Sequence, residues 1–235
     1  MTFPTLVLLP GMDGTATLFQ PFQKALPPEA VTRSVSYPSD RIASYSELQG
    51  YLRSGLDLDS PYVIVAESFS GPLAIEHAAG RPPNLCGLVL VASFGANPLP
   101  VPLRWLGLFA YRIGSRFRVP AWLVRFLLLG RESPGELVDM TCRAIRSVRR
   151  EVLADRIRQV LRVNAAPLLR SISVPVLCVG GSHDRLVGQR SLAQIKLGAP
   201  HVSSVILDGP HMLLQARPQE AVDKILEFLG SIGAR

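Results

Sequence analysis

Five short and nearly continuous apolar runs recur along the chain, and they constrain the fold more than any other feature of the sequence. They span residues 6–10, 62–66, 87–92, 174–179 and 203–207. Runs of this length without polar alternation are typical of strands buried on both faces, as in parallel sheets. Residues 31–37 interleave polar side chains with apolar ones and predict a further strand at an edge of the sheet.

Helical patterns lie between the runs, at residues 17–26, 45–56, 72–79, 189–197 and 219–229. Alternation of strand and helix is typical of parallel strands joined by right-handed crossovers. We therefore expect an α/β fold with a mostly parallel sheet of about six strands and helices on both of its faces. The 235 residues suit one such domain.

Residues 99–170 interrupt the alternation. They hold no clear strand run, and amphipathic helical stretches cover residues 101–111, 121–129, 136–150 and 152–163. We interpret this segment as a helical cap inserted into a core that residues 1–98 and 171–235 form.

A candidate nucleophile follows the second apolar run. The segment from Ala66 to Gly71 is Ala-Glu-Ser-Phe-Ser-Gly, between a predicted strand and a predicted helix. A sharp strand-to-helix turn exposes a serine Oγ above the sheet and requires small residues two positions before and after it. Ala66 and Ser70 are small, so we predict that Ser68 is a nucleophile. The alternative is a serine that only caps the helix.

A serine hydroxyl needs a base and an orienting carboxylate to become a good nucleophile. Asp184 follows the run at 174–179, and His211 follows the run at 203–207. Parallel strands end at one edge of a sheet, so we expect Ser68, Asp184 and His211 to meet there. Asp208 is the competing acid, but it precedes the histidine by three residues, too few along a turn to orient the ring.

These motifs, in the order Ser, Asp, His, resemble those of the α/β-hydrolase-fold serine hydrolases, in particular small esterase-like members with a helical cap. The resemblance spans residues 6–229. It implies that Ser68 is the nucleophile, that His211 is the general base and acid, and that Asp184 orients the histidine.

The resemblance also implies an oxyanion hole of two backbone N–H groups, those of Phe69 and Met12. The family commonly has His-Gly-x in the loop after the first strand, where this chain has Pro10-Gly11-Met12. The missing histidine is a departure that affects the hydrogen bonding of the loop but not the donor, which is a backbone N–H group.

The chemistry that this site implies is hydrolysis of an ester of an apolar acyl or alkyl group through an acyl-enzyme. A thioesterase, a methyl esterase acting on a carrier-linked substrate, an acyltransferase or a lyase could use the same residues. A ligand-binding module that retains the three residues is an alternative of another class.

The net charge of +7 comes from the predicted cap. Of the 25 basic residues, 22 are arginine, and residues 99–170 hold 14 arginines and only 5 acidic residues. Such a cap could attract an acidic carrier protein, a coenzyme A thioester or an anionic membrane surface. It could equally be a solvated helix surface. No nucleic-acid-binding motif accompanies the charge, which disfavours nucleic acid as a partner.

The remaining sequence features limit the class of the protein and its expected location. With 48% hydrophobic and 18% charged residues, the chain is expected to fold rather than to be disordered. No run is long enough to span a membrane, no signal peptide is apparent, and the three cysteines lack metal-ligand spacing. We expect a cytoplasmic enzyme without a cofactor or metal. Trp105, Phe109, Trp122 and Phe126 of the predicted cap could form an acyl pocket, or they could be ordinary packing within the cap.

Overall fold

The computed structural model describes residues 4–56, 60–98 and 119–233. Within these residues, six parallel strands form one sheet in the order β2-β1-β3-β4-β5-β6. The strands are β1 (Thr5–Leu9), β2 (Thr32–Ser34), β3 (Tyr62–Glu67), β4 (Leu85–Val91), β5 (Val176–Gly181) and β6 (Val202–Leu207). This arrangement confirms the predicted fold class, with the weakest strand, β2, at an edge.

The strands are apolar without alternation because both faces of the sheet are covered. On one face Leu9, Ile64 and Ala66 join a core with side chains from the helices that follow β2 and β3. On the other face Val63 and Val65 pack among side chains from the first and last helices. Every residue of β3 is buried. This double coverage is the physical reason for the continuous runs.

Nine α-helices are described. They are α1 (Gln20–Ala25), α2 (Tyr45–Gly55), α3 (Gly71–Ala79), α4 (Ala121–Val124), α5 (Gly135–Ser147), α6 (Arg150–Arg162), α7 (Gln189–Gly198), α8 (Leu213–Ala216) and α9 (Pro218–Gly233). Short 3-10 turns cover Ala16–Phe19, Ser68–Ser70 and Ala166–Ser171, and a π-helical turn, Arg125–Leu129, continues α4.

The carboxyl ends of the central strands are level with one another. Leu9 pairs with Ala66, and Glu67 pairs with Val91, which pairs in turn with Val179. The loops after β1, β3 and β5 therefore begin at the same height. This register brings together segments that are more than a hundred residues apart in sequence.

Residues 119–170 of the predicted cap contribute to a small third apolar cluster. Val124, Leu129, Val138 and Cys142 pack there with Leu18 and Met212. The helix predicted over residues 136–150 ends earlier, at Ser147, because Val148 is extended and the Arg149 N–H bonds to the Ser39 carbonyl. The helix predicted at residues 101–111 lies outside the described residues. The domain bounds remain predictions.

None of the helices in the described residues is long and apolar enough to cross a membrane. Cys86, Cys142 and Cys178 are free thiols.

Candidate active site

Ser68 lies at a strained turn between β3 and α3. Its backbone φ is +48°, in the left-handed region that residues with side chains rarely adopt. The turn is tight because residue 71 is glycine: a Cβ there would lie 1.8 Å from Ser93 Oγ and 3.0 Å from the Phe94 carbonyl oxygen. Ser93 Oγ in turn donates to the Ser68 carbonyl at 2.7 Å.

Ser68 Oγ does not cap the helix, because neither the 3-10 turn nor α3 has a side-chain cap. It lies instead 2.9 Å from His211 Nε2. On the other side of the ring, His211 Nδ1 lies 2.8 Å from Asp184 Oδ2. A carboxylate accepts the Nδ1 proton, which leaves Nε2 as the acceptor for the Ser68 hydroxyl. The structure thus brings the three predicted residues into one chain of hydrogen bonds.

Asp184, the acid in this series of hydrogen bonds, is held in place by backbone N–H groups. Asp184 Oδ1 accepts hydrogen bonds from the N–H groups of Leu186 and Val187 at 2.8 and 2.9 Å, and its side chain is 2% exposed. The side chain of the competing acid, Asp208, is 80% exposed and pairs with His183 at 3.2 Å. The geometry therefore favours Asp184 over Asp208 as the acid that orients His211.

The two residues proposed for the oxyanion hole lie on loops that are tied together. Ser70 donates a short hydrogen bond to the Pro10 carbonyl, and it accepts one of 2.6 Å from the Tyr37 hydroxyl. The first bond links the turn that carries Phe69 to the loop that carries Met12. Serine at position 70, where the usual motif has glycine, therefore has a structural role beyond being small.

Phe69 is fully buried in an aromatic cluster. Its ring stacks on Tyr45 with a centroid separation of 4.9 Å, and its carbonyl accepts a 2.9 Å hydrogen bond from the Tyr45 hydroxyl. The Tyr37 ring meets it edge-on at 6.2 Å. These contacts hold Phe69, the residue directly after the serine. The sequence pattern pointed to neither tyrosine.

The loop after β1 is held by a side chain from the cap. Arg156 of α6 donates to the Met12 carbonyl at 2.8 Å. No motif pointed to this arginine, because it lies 144 residues further along the chain.

Glu67 is the last residue of β3 and directly precedes Ser68. Its carboxyl group is buried and accepts a 3.1 Å hydrogen bond from Gln215 Nε2 of α8. Burial raises the pKa of Glu67 to about 7, with a smaller contribution from the nearby Asp13 carboxyl. The pair lies behind the site and joins β3 to the segment that follows His211.

The π-helical turn after α4 touches the loops that follow Asp184 and His211. Arg185, next to the acid, donates to the Phe126 carbonyl at 2.8 Å and lies 3.8 Å from the centroid of the Phe126 ring. The Met212 N–H donates to the Leu128 carbonyl at 2.9 Å. The π-helical turn thus contacts the residues directly after Asp184 and His211.

The acyl pocket proposed from the sequence remains a prediction. Trp122 is 69% exposed and Phe126 is 45% exposed. Trp105 and Phe109 lie outside the described residues. Of the other three histidines, His77 is buried against the Tyr62 hydroxyl, and His183 and His201 are exposed. The described residues contain no cluster of metal-ligating side chains.

Comparisons with known proteins agree with the fold. Residues 6–224 match the model of the alpha/beta hydrolase family. No curated protein matches the sequence.

Solved structures of the same fold cover nearly the whole chain. An esterase from Exiguobacterium antarcticum superposes with a TM-score of 0.84 at 10% identity, over 97% of this chain and 92% of its own. An enol-lactonase from Burkholderia xenovorans gives 0.81 at 16% identity, over 98% and 92%. A lipase-esterase related protein from Clostridium acetobutylicum gives 0.79 at 12% identity, over 96% and 94%. At these identities the likeness is one of fold.

Proposed function

Because the chain belongs to the alpha/beta hydrolase family, we propose that it is a serine hydrolase that cleaves carboxylic esters through an acyl-enzyme. The observation that supports this most is the hydrogen-bonded chain at the end of β3. Ser68 Oγ lies 2.9 Å from His211 Nε2, and the opposite ring nitrogen lies 2.8 Å from Asp184. The strained turn presents that oxygen at the carboxyl edge of the sheet.

In the proposed first step, Ser68 Oγ attacks the carbonyl carbon of the ester while His211 takes its proton. The N–H groups of Phe69 and Met12 would bind the oxyanion that forms. When the tetrahedral intermediate collapses, the ester C–O bond breaks and His211 gives its proton to the leaving alcohol. The acyl group is then bonded to Ser68.

Water completes the reaction by the same route. His211 takes a proton from the water molecule that attacks the acyl carbon, and then returns a proton to Ser68 as the carboxylic acid leaves. Asp184 stabilises the imidazolium in both halves without taking the proton itself. No cofactor is required by this scheme.

A panel of p-nitrophenyl esters and acyl thioesters tests the proposal. The wild-type protein should turn over at least one class, and Ser68→Ala should abolish that turnover while the variant still folds. If no member of either class is turned over above the Ser68→Ala background, the residues do not support hydrolysis. A ligand-binding role would then be favoured.

A second candidate is hydrolysis of a thioester, or of a methyl ester on an acidic carrier, and surface charge favours it. Seven of the ten arginines in residues 119–170 are exposed: Arg131, Arg143, Arg146, Arg149, Arg150, Arg162 and Arg170. Exposed positive charge raises the rate of encounter with an anionic partner, and salt screens this effect.

Salt dependence separates the two candidates. If the arginines bind the substrate, KM for an anionic acyl thioester should rise with salt, whereas KM for a neutral ester should not change. If KM responds equally to salt for both substrates, the arginines do not bind the substrate. That result would favour the simple esterase.

A further inference from the structure

A buried arginine from the cap lies against both residues of the proposed oxyanion hole. Arg156 is only 2% exposed. One guanidinium nitrogen donates to the Met12 carbonyl at 2.8 Å, and the other donates to the Pro38 carbonyl at 3.0 Å. The guanidinium carbon also lies 5.9 Å from the centroid of the Phe69 ring. A buried cation is costly unless its donors are satisfied, so these contacts hold it in one place.

The backbone around the guanidinium is shaped to admit it. Gly14 has a φ of +68°, and a Cβ there would lie 2.5 Å from Arg156 Nη1. The neighbouring Asp13 is buried too, and it accepts hydrogen bonds from the N–H and hydroxyl of Thr15. Burial raises the pKa of Asp13, while the charge of Arg156 opposes that rise. The guanidinium of Arg156 thus packs against the loop after β1 at Gly14.

We propose that Arg156 is a positioning residue that fixes the oxyanion hole. This inference rests on the proposed function, because Met12 and Phe69 matter as donors only if Ser68 forms tetrahedral intermediates. A planar guanidinium that bridges two carbonyls fixes both the position and the tilt of the loop. The Met12 carbonyl belongs to the peptide directly after the one whose N–H would bind the oxyanion. Holding the peptide that carries the Met12 carbonyl therefore orients the preceding peptide, which carries the Met12 N–H.

The Pro10-Gly11-Met12 loop, which lacks the histidine common in the family, is held at both ends. Ser70 holds its beginning through the Pro10 carbonyl, and Arg156 holds its end through the Met12 carbonyl. Because Arg156 belongs to α6, the cap takes part in assembling the catalytic machinery.

The test compares Arg156→Met and Arg156→Lys with Arg190→Met, which removes an exposed arginine of α7, outside the arginine-rich residues 119–170. Two readouts are measured: kcat and KM for a p-nitrophenyl ester, and the rate at which a fluorophosphonate phosphonylates the protein. Both reactions place a developing negative oxygen in the oxyanion hole.

Arg156→Met should lower kcat and the phosphonylation rate by roughly 10- to 100-fold, with little change in KM. Arg156→Lys keeps the charge but cannot bridge two carbonyls, so an intermediate loss is expected. Arg190→Met should match the wild type.

The proposal is overturned if a folded Arg156→Met variant keeps the wild-type kcat, or if only KM changes. If Arg156→Met does not fold, Arg156→Lys decides: wild-type kcat and phosphonylation rate in that variant would also overturn it. Ser68→Ala is measured in parallel. Wild-type turnover by Ser68→Ala would refute the proposed function itself, whereas its inactivity beside an unaffected Arg156→Met would refute only the positioning role.

Discussion

Gln215 Nε2 donates a 3.1 Å hydrogen bond to Glu67 Oε2, and this bond joins the residue before the proposed nucleophile to the helix after His211. The other oxygens of the two side chains, Glu67 Oε1 and Gln215 Oε1, are buried and accept no hydrogen bond from the described residues. Burial disfavours the charged carboxylate and raises the pKa of Glu67, so the protonated form is favoured.

Glu67→Gln should change how stability depends on pH. The folded-state pKa of Glu67 is raised from 4.5 to about 7, so between these values the folded protein holds a proton that the unfolded chain has released. The free energy of unfolding of the wild type should then fall as pH rises through this window, by up to roughly 3 kcal/mol. Glutamine does not titrate and should lack this loss.

Chemical denaturation at several pH values measures the effect. Glu67→Gln should gain stability over the wild type as pH rises, and Glu76→Gln, which changes an exposed glutamate of α3, should not. A constant difference between Glu67→Gln and the wild type across the range would contradict the assigned pKa.

His77 should produce the opposite trend. Burial lowers its pKa from 6.5 to about 4, and its Nε2 lies 2.9 Å from the Tyr62 hydroxyl. Below pH 6.5 the unfolded chain takes up a proton that folded His77 does not bind. The free energy of unfolding should therefore fall as the pH is lowered, by up to roughly 3 kcal/mol at pH 4. His77→Gln should remove that part of the acid loss, measured by denaturation between pH 7 and pH 4. An unchanged acid slope in the variant would refute this account.

Substitution of each acid separates the two candidates for orienting His211. Asp184→Asn should lower kcat by about three to four orders of magnitude, because an amide no longer holds the ring in the tautomer that accepts the serine proton. Asp208→Asn is the matched control, since that side chain is 80% exposed and faces His183. Steady-state kinetics with one ester would reverse the assignment if Asp208→Asn were the damaging change.

Ser70→Ala should weaken the fold and the site together. It removes the donor to Pro10 and the acceptor for Tyr37, and leaving such buried groups unpaired costs about 1–3 kcal/mol. Tyr37→Phe leaves the Ser70 bond to Pro10 in place, so its cost in stability and in kcat should be smaller. Thermal unfolding and ester kinetics on both variants provide the comparison. Equal kcat values for Ser70→Ala and the wild type would mean that this bond does not position the oxyanion loop.

The sheet and the serine, aspartate and histidine could be predicted because both follow from local rules. Continuous apolar runs indicate doubly buried strands, and the ends of parallel strands meet at one edge. Ser68, Asp184 and His211 each follow such a run, so the topology brings them together. The family match over residues 6–224 agrees with that prediction of the fold.

The groups that hold the site could not be predicted, because their contacts are tertiary and carry no motif. Arg156 meets Met12 across 144 residues, and Glu67 meets Gln215 across 148. The early end of the helix over 136–150 has the same cause, since the bond from Arg149 to Ser39 competes with continuation of the helix. Sequence periodicity does not register such contacts.

The most direct test of the central claim is to trap the acyl-enzyme. A p-nitrophenyl ester is mixed with the protein, the reaction is quenched in acid during turnover, and the protein is analysed by intact mass and peptide mapping. The account predicts one acyl group per chain, located on Ser68, and neither acylation nor turnover in Ser68→Ala. An acyl group on another residue, or wild-type turnover by Ser68→Ala, would contradict it.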